Sequence, residues 1–394
     1  MTKGDWVAYV GPFLFPWGQP GSRRVFGIAS ALAEAGERVI VGAGQWGAPG
    51  FFPIQDSNGI EFCNLGDLPS PDAPTYKKVF QLFYKSGEKT VKWLKSMPSL
   101  PKCVIVYGAG APYIYRVNKW CKSQGIPVVA DVVEWYDSSH MTGGFFGPFH
   151  VSAKLAMHYY FPRCSGIFVI SELLQRYYQK RSKASVIRVP PITDVVGEPV
   201  GEDRYHQKNE KIKLVYAGTP GKKDLLCTVV QGLSTVDPTG DTFLLQIMGP
   251  SVKNVTSLLG VSILPPFVEV LGRIPQELVF KKLKEADFSV LVREPKRFAN
   301  AGFSTKFVES LMTGTPVIAN HTSDMAIYLR DGVEGVVCAD HTASMFANAL
   351  KRVAEMPFEN LVEMRKNARA QAIVSFDYRA FGKALSDFVW RLNK

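Results

Sequence analysis

Between Val290 and Asn320 the chain reads VLVREPKRFANAGFSTKFVESLMTGTPVIAN, and no other stretch constrains the fold as much. An apolar run, Phe288 to Val292, stops at a charged pair, Arg293 and Glu294, and a polar loop containing glycine follows. Such a run reads as a buried strand opening into a site. Ser304 or Thr305 is placed to cap a helix whose inner face is Phe307, Val308, Leu311 and Met312, and Gly314 ends it. Glu309 lies one turn inside that helix, on the side opposite Leu311, and Pro316 to Ala319 begins the next strand. Strand, loop, helix and strand in this order make a parallel unit, whose sheet needs helices on its faces. Free N–H groups at the helix start point out of the carboxyl edge, and such an edge attracts phosphate.

The same alternation runs through the chain. In the first half, strands read at Val7–Val10, Arg38–Gly42, Ile60–Leu65, Cys103–Tyr107, Val128–Val133, Ile167–Ile170 and Val186–Val189 are separated by helical patterns. Ser22 is the expected cap of a helix from Arg23 to Ala35. In the second half strands begin afresh at Ile212–Tyr216, Leu244–Gly249 and Val268–Leu271. At 394 residues the chain exceeds what one core supports, so two domains of roughly 190 residues are expected. The stretch around 191–211 is dense in Pro, Gly and charge and reads as a linker between domains 1–190 and 212–375, with a last amphipathic segment at 376–394.

Six cysteines are scattered singly, which argues for a reducing cytosol and against a zinc site or disulfide frame. The amino terminus enters a strand directly, and no apolar run of about 18 residues exists to span a bilayer. The expected setting is therefore cytoplasmic, soluble or peripheral at the inner face of a membrane. A net charge of +11 permits an anionic partner. No helix-turn-helix, zinc-finger or single-strand-binding motif accompanies it, so no nucleic acid partner is expected. A helix from about Thr75 to Met97 would bring Lys78, Lys85, Lys89 and Lys92 within about 60° of each other at a helical period. That basic face suits an anionic membrane surface; a solvated face is the alternative. His150, Lys154 and His158 recur every fourth residue, but no carboxylate joins them and lysine is a poor ligand, so no metal site is read there.

Lys306 to Ala319, K-F-x-E-S-x-x-x-G-x-P-V-I-A, resembles the nucleotide-sugar signature of retaining, family-4-type glycosyltransferases, the glycosyl transferases group 1. The resemblance implies an α/β chain of GT-B fold, with two Rossmann-like domains facing each other across a cleft and a C-terminal helix crossing back to the first. It also implies transfer of a sugar from a nucleotide-diphosphate-sugar donor to a hydroxyl of a saccharide or lipid-linked acceptor, with retained configuration and no required metal or other cofactor. Basicity and an aromatic loop near Gly143 point toward cell-envelope or exopolysaccharide synthesis.

In that family two glutamates hold the donor, one on the sugar and one on the ribose. Glu309 matches the second; the first falls on Ala301, leaving the Asn300 to Thr305 backbone or Glu294 to substitute. The family's first loop lies near the donor phosphates, which makes Gly18, Gly21, Arg23 and Arg24 candidates, a surface turn with solvated arginines being the alternative. In AGTPGKKDLL, Gly218 and Gly221 let the backbone approach a ligand, and Lys222 and Lys223 precede a helix, which suits a diphosphate. The family's arginine in this loop is missing, so the charge comes from Lys222, Lys223 or Arg293. GRIPQEL resembles the turn that pairs with the nucleobase, giving Arg273 and Ile274. Amides of Phe303, Ser304 and Thr305 complete the expected donor site.

The histidine that the family places near the donor sugar falls on Val133, and Glu134 beside it is carried forward to position the acceptor hydroxyl or act as a base. A structural hydrogen bond at a strand end is the alternative. Two other functions stay open, a nucleotide-sugar 2-epimerase of the same fold and a non-catalytic nucleotide-sugar-binding protein. A dehydrogenase is not expected, since no G-x-G-x-x-G follows the first strand.

Overall fold

Short runs of buried residues line up into two sheets in the computed structural model, which describes residues 4–18, 20–46, 54–57, 59–141, 143–199, 210–220 and 223–394. The first sheet takes β1 (Trp6–Gly11), β2 (Arg38–Ala43), β3 (Gln55–Ser57), β4 (Ile60–Asn64), β5 (Cys103–Tyr107), β6 (Val128–Val132), β7 (Gly166–Val169) and β8 (Ser185–Arg188). Their order is β3-β4-β2-β1-β5-β6-β7-β8. All six residues of β1 are buried, as a strand covered on both faces requires. Only the short edge strand β3 runs antiparallel to its neighbour. The second sheet takes β9 (Ile212–Ala217), β10 (Phe243–Met248), β11 (Val268–Gly272), β12 (Phe288–Leu291), β13 (Val317–Asn320) and β14 (Gly335–Cys338). Here the order is β11-β10-β9-β12-β13-β14, wholly parallel. The order reverses between β9 and β12, and ligands of such sheets bind at that switch point.

The chain divides into two compact units, Met1–Thr193 with Tyr378–Lys394, and Asp194–Asp377. The last helix, Gly382–Arg391, packs on Pro20–Glu34, and its Gly382 lies so close that a Cβ there would stand 2.7 Å from the Ala31 carbonyl oxygen. Phe388 contacts Phe168 of β7 with ring centroids 5.3 Å apart. Among the described residues no helix is long and apolar enough to cross a membrane.

Several local expectations are corrected. Part of the expected linker is anchored in the second unit. The Val195 and Val196 N–H groups donate to Asp377, and Arg369 donates to the Val195 and Glu198 carbonyls. Residues 200–209 of that linker lie outside the described residues. Ser22 sits inside the helix Pro20–Glu34, its hydroxyl donating to the Leu14 carbonyl, because Pro20 starts the helix earlier. The helix expected from Thr75 to Met97 is broken. Thr75–Phe80 runs into a wider π turn, Gln81–Lys85; Gly87 then takes a left-handed conformation, and a separate helix runs Glu88–Ser96. Buried Asp67 accepts from the N–H groups of Gly87, Lys89 and Thr90 and so caps the second piece from outside it. Lys78 and Lys85 therefore belong to one segment and Lys89 and Lys92 to the other. One continuous basic helix face does not form.

Candidate functional site

At the carboxyl edge of the second sheet the strand ends lie very close together. Gly218, Gly249 and Gly272 close β9, β10 and β11, each at positive φ, and the Gly249 N–H donates to the Gly272 carbonyl at 2.7 Å. Gly218 has φ of 130°, which strains any other residue, and a Cβ there would stand 2.4 Å from Cε of Lys306 and displace that side chain.

Lys306, in the first turn of the helix Thr305–Met312, reaches across to the end of β9. Its ammonium donates to the Tyr216 hydroxyl at 3.0 Å and to Asp224, and lies 4.7 Å from the Tyr216 ring centre. Asp224 also accepts from the Tyr216 hydroxyl at 2.7 Å and from Nε of Arg293 at 2.6 Å. Arg293 is fixed just beyond β12, where Asn320 at the end of β13 imitates a strand. The Arg293 N–H donates to the Asn320 side-chain oxygen and its carbonyl accepts from the Asn320 amide, each at 2.8 Å. The cluster thus gathers at the β9/β12 switch point.

Burial alone would raise the Asp224 acid, but the Arg293 guanidinium and Lys306 ammonium hold it down at about 2. Burial pushes the Lys306 ammonium down; Asp224 offsets part of this, and Arg293 adds to the depression. One carboxylate therefore stands between two cations, leaving one positive charge in surplus.

The helix start beside this cluster is unfinished. Ser304 occupies the cap position, yet its side chain makes no capping bond, and its buried hydroxyl has no hydrogen-bond partner in the structure. Ser323, just beyond β13, carries a second such hydroxyl on a left-handed backbone with φ of 55°, held there by Asn300, whose side-chain oxygen accepts from its N–H at 2.9 Å. Orphaned buried polar atoms and left-handed backbone at a non-glycine residue both concentrate where ligands bind.

The remaining donor-side candidates fall as follows. Glu309 is half-buried on the helix Thr305–Met312, three residues after Lys306 and so on the same side. The Phe303 ring is packed among Phe307, Tyr328 and Phe376, which leaves only its backbone for a ligand. Thr305 and Lys223 are half-buried, whereas Lys222 and Gly221 lie outside the described residues. Arg273 is exposed beyond β11, and Ile274 packs against the cluster of Val215, Met248, Leu283 and Ala286. Ala301 is fully buried, and Glu294 is paired with Lys296 at 2.7 Å.

In the first unit Gly18 is exposed with φ of 115°. Arg24, named with the first loop, is instead a buried brace. It donates to both carboxylate oxygens of Asp131 and to the Val189 and Pro190 carbonyls, while the Tyr9 hydroxyl donates to Asp131 at 2.6 Å. Glu134, past the end of β6, is half-buried near Tyr107 and Tyr136. Burial raises the pKa of both phenols, and the Glu134 charge adds to the rise. Buried His150 bonds the Phe145 carbonyl through Nδ1, and His158 bonds the Tyr177 hydroxyl. No group of His, Cys, Asp and Glu that could hold a metal occurs among the described residues.

Residue-by-residue reading missed Tyr216, Asp224 and Asn320, and it treated Lys306 only as the start of a motif. A signal was present. Asp224, Arg293 and Lys306 all follow strands, and the expected parallel topology puts every such loop on one edge.

Residues 203–371, which carry this cluster, match the glycosyl transferases group 1 family. The match falls within the second unit, Asp194–Asp377. An 85-residue stretch is 34% identical to D-inositol 3-phosphate glycosyltransferase of Streptomyces griseus subsp. griseus, covering 22% of this chain and 18% of that protein. Whole-chain likeness is structural. Sucrose-phosphate synthase from Thermosynechococcus elongatus superposes with a TM-score of 0.73 at 14% identity, over 98% of this chain and 99% of that one. Anabaena HepE in complex with UDP-glucose gives 0.66 at 13% identity, over 98% and 99%. The chain thus has a GT-B fold, two Rossmann-like units in sequence, with the family match in the second.

Proposed function

We propose that the chain transfers a sugar from a nucleotide-diphosphate sugar to a hydroxyl of a saccharide or lipid-linked acceptor, with retained anomeric configuration. The observation that carries this reading is the surplus positive charge of Lys306 and Arg293 around Asp224, beside a helix start without a capping side chain. A diphosphate matches both features, since its oxygens take the spare N–H donors and its charge meets the surplus.

In this reading Arg293, Lys306 and Lys223 hold the pyrophosphate, with backbone N–H groups near Phe303, Ser304 and Thr305 and the close approach allowed at Gly218. Charge grows on the leaving pyrophosphate as the sugar bond breaks, and donors already fixed on that charge supply the largest catalytic term. Asp224 keeps the two cations together against their repulsion and sets their bearing. Glu309, on the Lys306 side of its helix, takes the ribose hydroxyls, and the backbone at Arg273 and Ile274 takes the base. Glu134 positions the acceptor hydroxyl.

Calorimetric titration with UDP-glucose and other nucleotide sugars tests donor binding, and proton NMR of the product reads its anomeric configuration. Saturable binding that inorganic pyrophosphate competes away, with product of the donor's configuration, is expected. Failure of every nucleotide sugar to bind overturns the reading, and acceptor-independent isomerisation of the donor replaces it with a 2-epimerase.

A further inference from the structure

The first unit carries a surface with a different chemistry. Two segments present large apolar side chains to solvent. Tyr76, Val79, Phe80 and Tyr84 come from the interrupted helix at 75–85, and Phe145, Phe146, Val151 and Leu155 from the loop and helix at 143–155. Tyr76 is 70% exposed and Phe146 88%. The segments adjoin, since the Phe83 and Phe149 rings meet at 5.2 Å and Phe80 stacks on Tyr84 at 5.3 Å. Arg116, on the helix Ala111–Ser123, donates to the Tyr84 and Ser86 carbonyls and ties in a third element with exposed Tyr115. The first segment contains a π turn, Gln81–Lys85, and the second runs into one, Ala156–Tyr160.

The charge around these rings is mainly basic. Residues 74–92 contain five lysines and one acid, Glu88, and residues 143–163 contain Lys154 and Arg163 and no acid. Glu88 is paired with Lys85 at 3.0 Å, and Lys154 lies 4.2 Å from the Phe145 ring centre. A groove lined by Tyr76, Phe80, Lys77, Lys85 and Lys89, and by the engaged acids Asp67 and Glu88, opens among them. Monomer surfaces seldom leave such apolar patches uncovered without a partner.

We infer that this aromatic and basic surface docks the protein on an anionic lipid bilayer, the rings entering the headgroup boundary and the lysines meeting lipid phosphates. Aromatic rings favour that boundary, and each lysine near an anionic leaflet adds about 1 kcal/mol. A saccharide needs side-chain amides and carboxylates for its hydroxyls, and here these are engaged. Gln81 donates to the Gly66 and Asp67 carbonyls, and the Asp67 carboxylate caps the helix Glu88–Ser96. Exposed Val79, Val151 and Leu155 suit acyl chains better than sugar rings.

The test is cosedimentation of the full chain with vesicles of phosphatidylcholine alone and with about 30 mol% phosphatidylglycerol, without nucleotide sugar, at about 0.1 M salt. The wild type should partition onto the anionic vesicles and detach at high salt. Tyr76→Ser/Phe80→Ser/Tyr84→Ser and, separately, Lys77→Glu/Lys85→Glu should each lower the partition coefficient by at least about tenfold. All these side chains are exposed, so melting midpoints and donor-induced thermal shifts should stay at wild-type values. Absence of wild-type binding overturns the inference, as does undiminished binding by both variants. Variants that keep vesicle binding but lose transfer to a soluble saccharide also overturn it, making the surface an acceptor subsite. Because no donor is present, a failed glycosyltransferase reading leaves the vesicle result standing.

Discussion

Each sheet holds an aspartate gripped by cations, and the two arrangements differ in what they leave over. In the first unit Asp131 and Arg24 balance one to one, with side chains 0% and 3% exposed, and the remaining guanidinium donors go to two backbone carbonyls. The pair is sealed from any ligand in solution. In the second unit Asp224 stands between Arg293 and Lys306, whose side chains are 11% and 22% exposed, and an uncapped helix start adjoins them. An acid with its cation is thus a brace when charge is balanced and sealed, and an anion site when a cation is in surplus and reachable.

The contrast is broken most forcefully at the brace. Asp131→Asn leaves the Arg24 guanidinium buried without its counter-charge, which costs about 3–5 kcal/mol. Urea unfolding should register that loss, whereas pyrophosphate should still not bind at Arg24. A change below about 1 kcal/mol would mean that the pair is no brace. At the other cluster the expectation reverses. Lys306→Met removes a charged donor and the surplus together, and donor affinity measured by calorimetry should fall roughly 100-fold. Unchanged affinity would detach the cluster from the donor.

The difference between the clusters was only half legible in the sequence. Alternating apolar runs and helical periods gave most strands to within one or two residues, because a strand buried on both faces leaves a continuous apolar signature, as β5 and β6 do. Strand order left no such trace, and with it the switch point stayed hidden. Asp224 lies 69 residues from Arg293 and 82 from Lys306, so no local pattern links them. Arg24 and Asp131, 107 residues apart, look as solvated as any surface pair. The broken helix at 75–96 has the same cause, since Asp67 caps it from a distant loop. Glu309 was legible because motif, helix period and glycine stop all fall within one short stretch.

A pH titration sharpens the contrast further. The folded-state pKa of Asp224 is depressed to about 2, so its contribution to stability is fully present above the ordinary carboxylate value near 4. It is lost as pH falls from there through the folded value, by on the order of 2 kcal/mol. Asp224→Asn should remove that part of the acid-induced loss, read from unfolding free energies between about pH 4 and about pH 2. The same variant raises the surplus from one positive charge to two. Pyrophosphate should then bind at least as tightly as to the wild type, while transfer slows because Arg293 and Lys306 have lost the group that aims them. Weaker pyrophosphate binding would make Asp224 part of the anion site itself.

The smallest expected effect is at Glu309. Its side chain is half-buried on a helix whose packing is secured by Phe307, Val308 and Leu311, so Glu309→Ala should leave the melting midpoint within a degree or two. If its carboxylate takes the ribose hydroxyls, the variant loses about one charged hydrogen bond, and affinity for the nucleotide sugar should drop about tenfold. Affinity for inorganic pyrophosphate should not move, because that ligand has no ribose and meets only the cations. This pairing separates a ribose contact from a general disturbance of the helix start, which would weaken both ligands alike. Equal losses would move Glu309 out of the donor site and leave the surplus charge around Asp224 as the feature that recognises the donor.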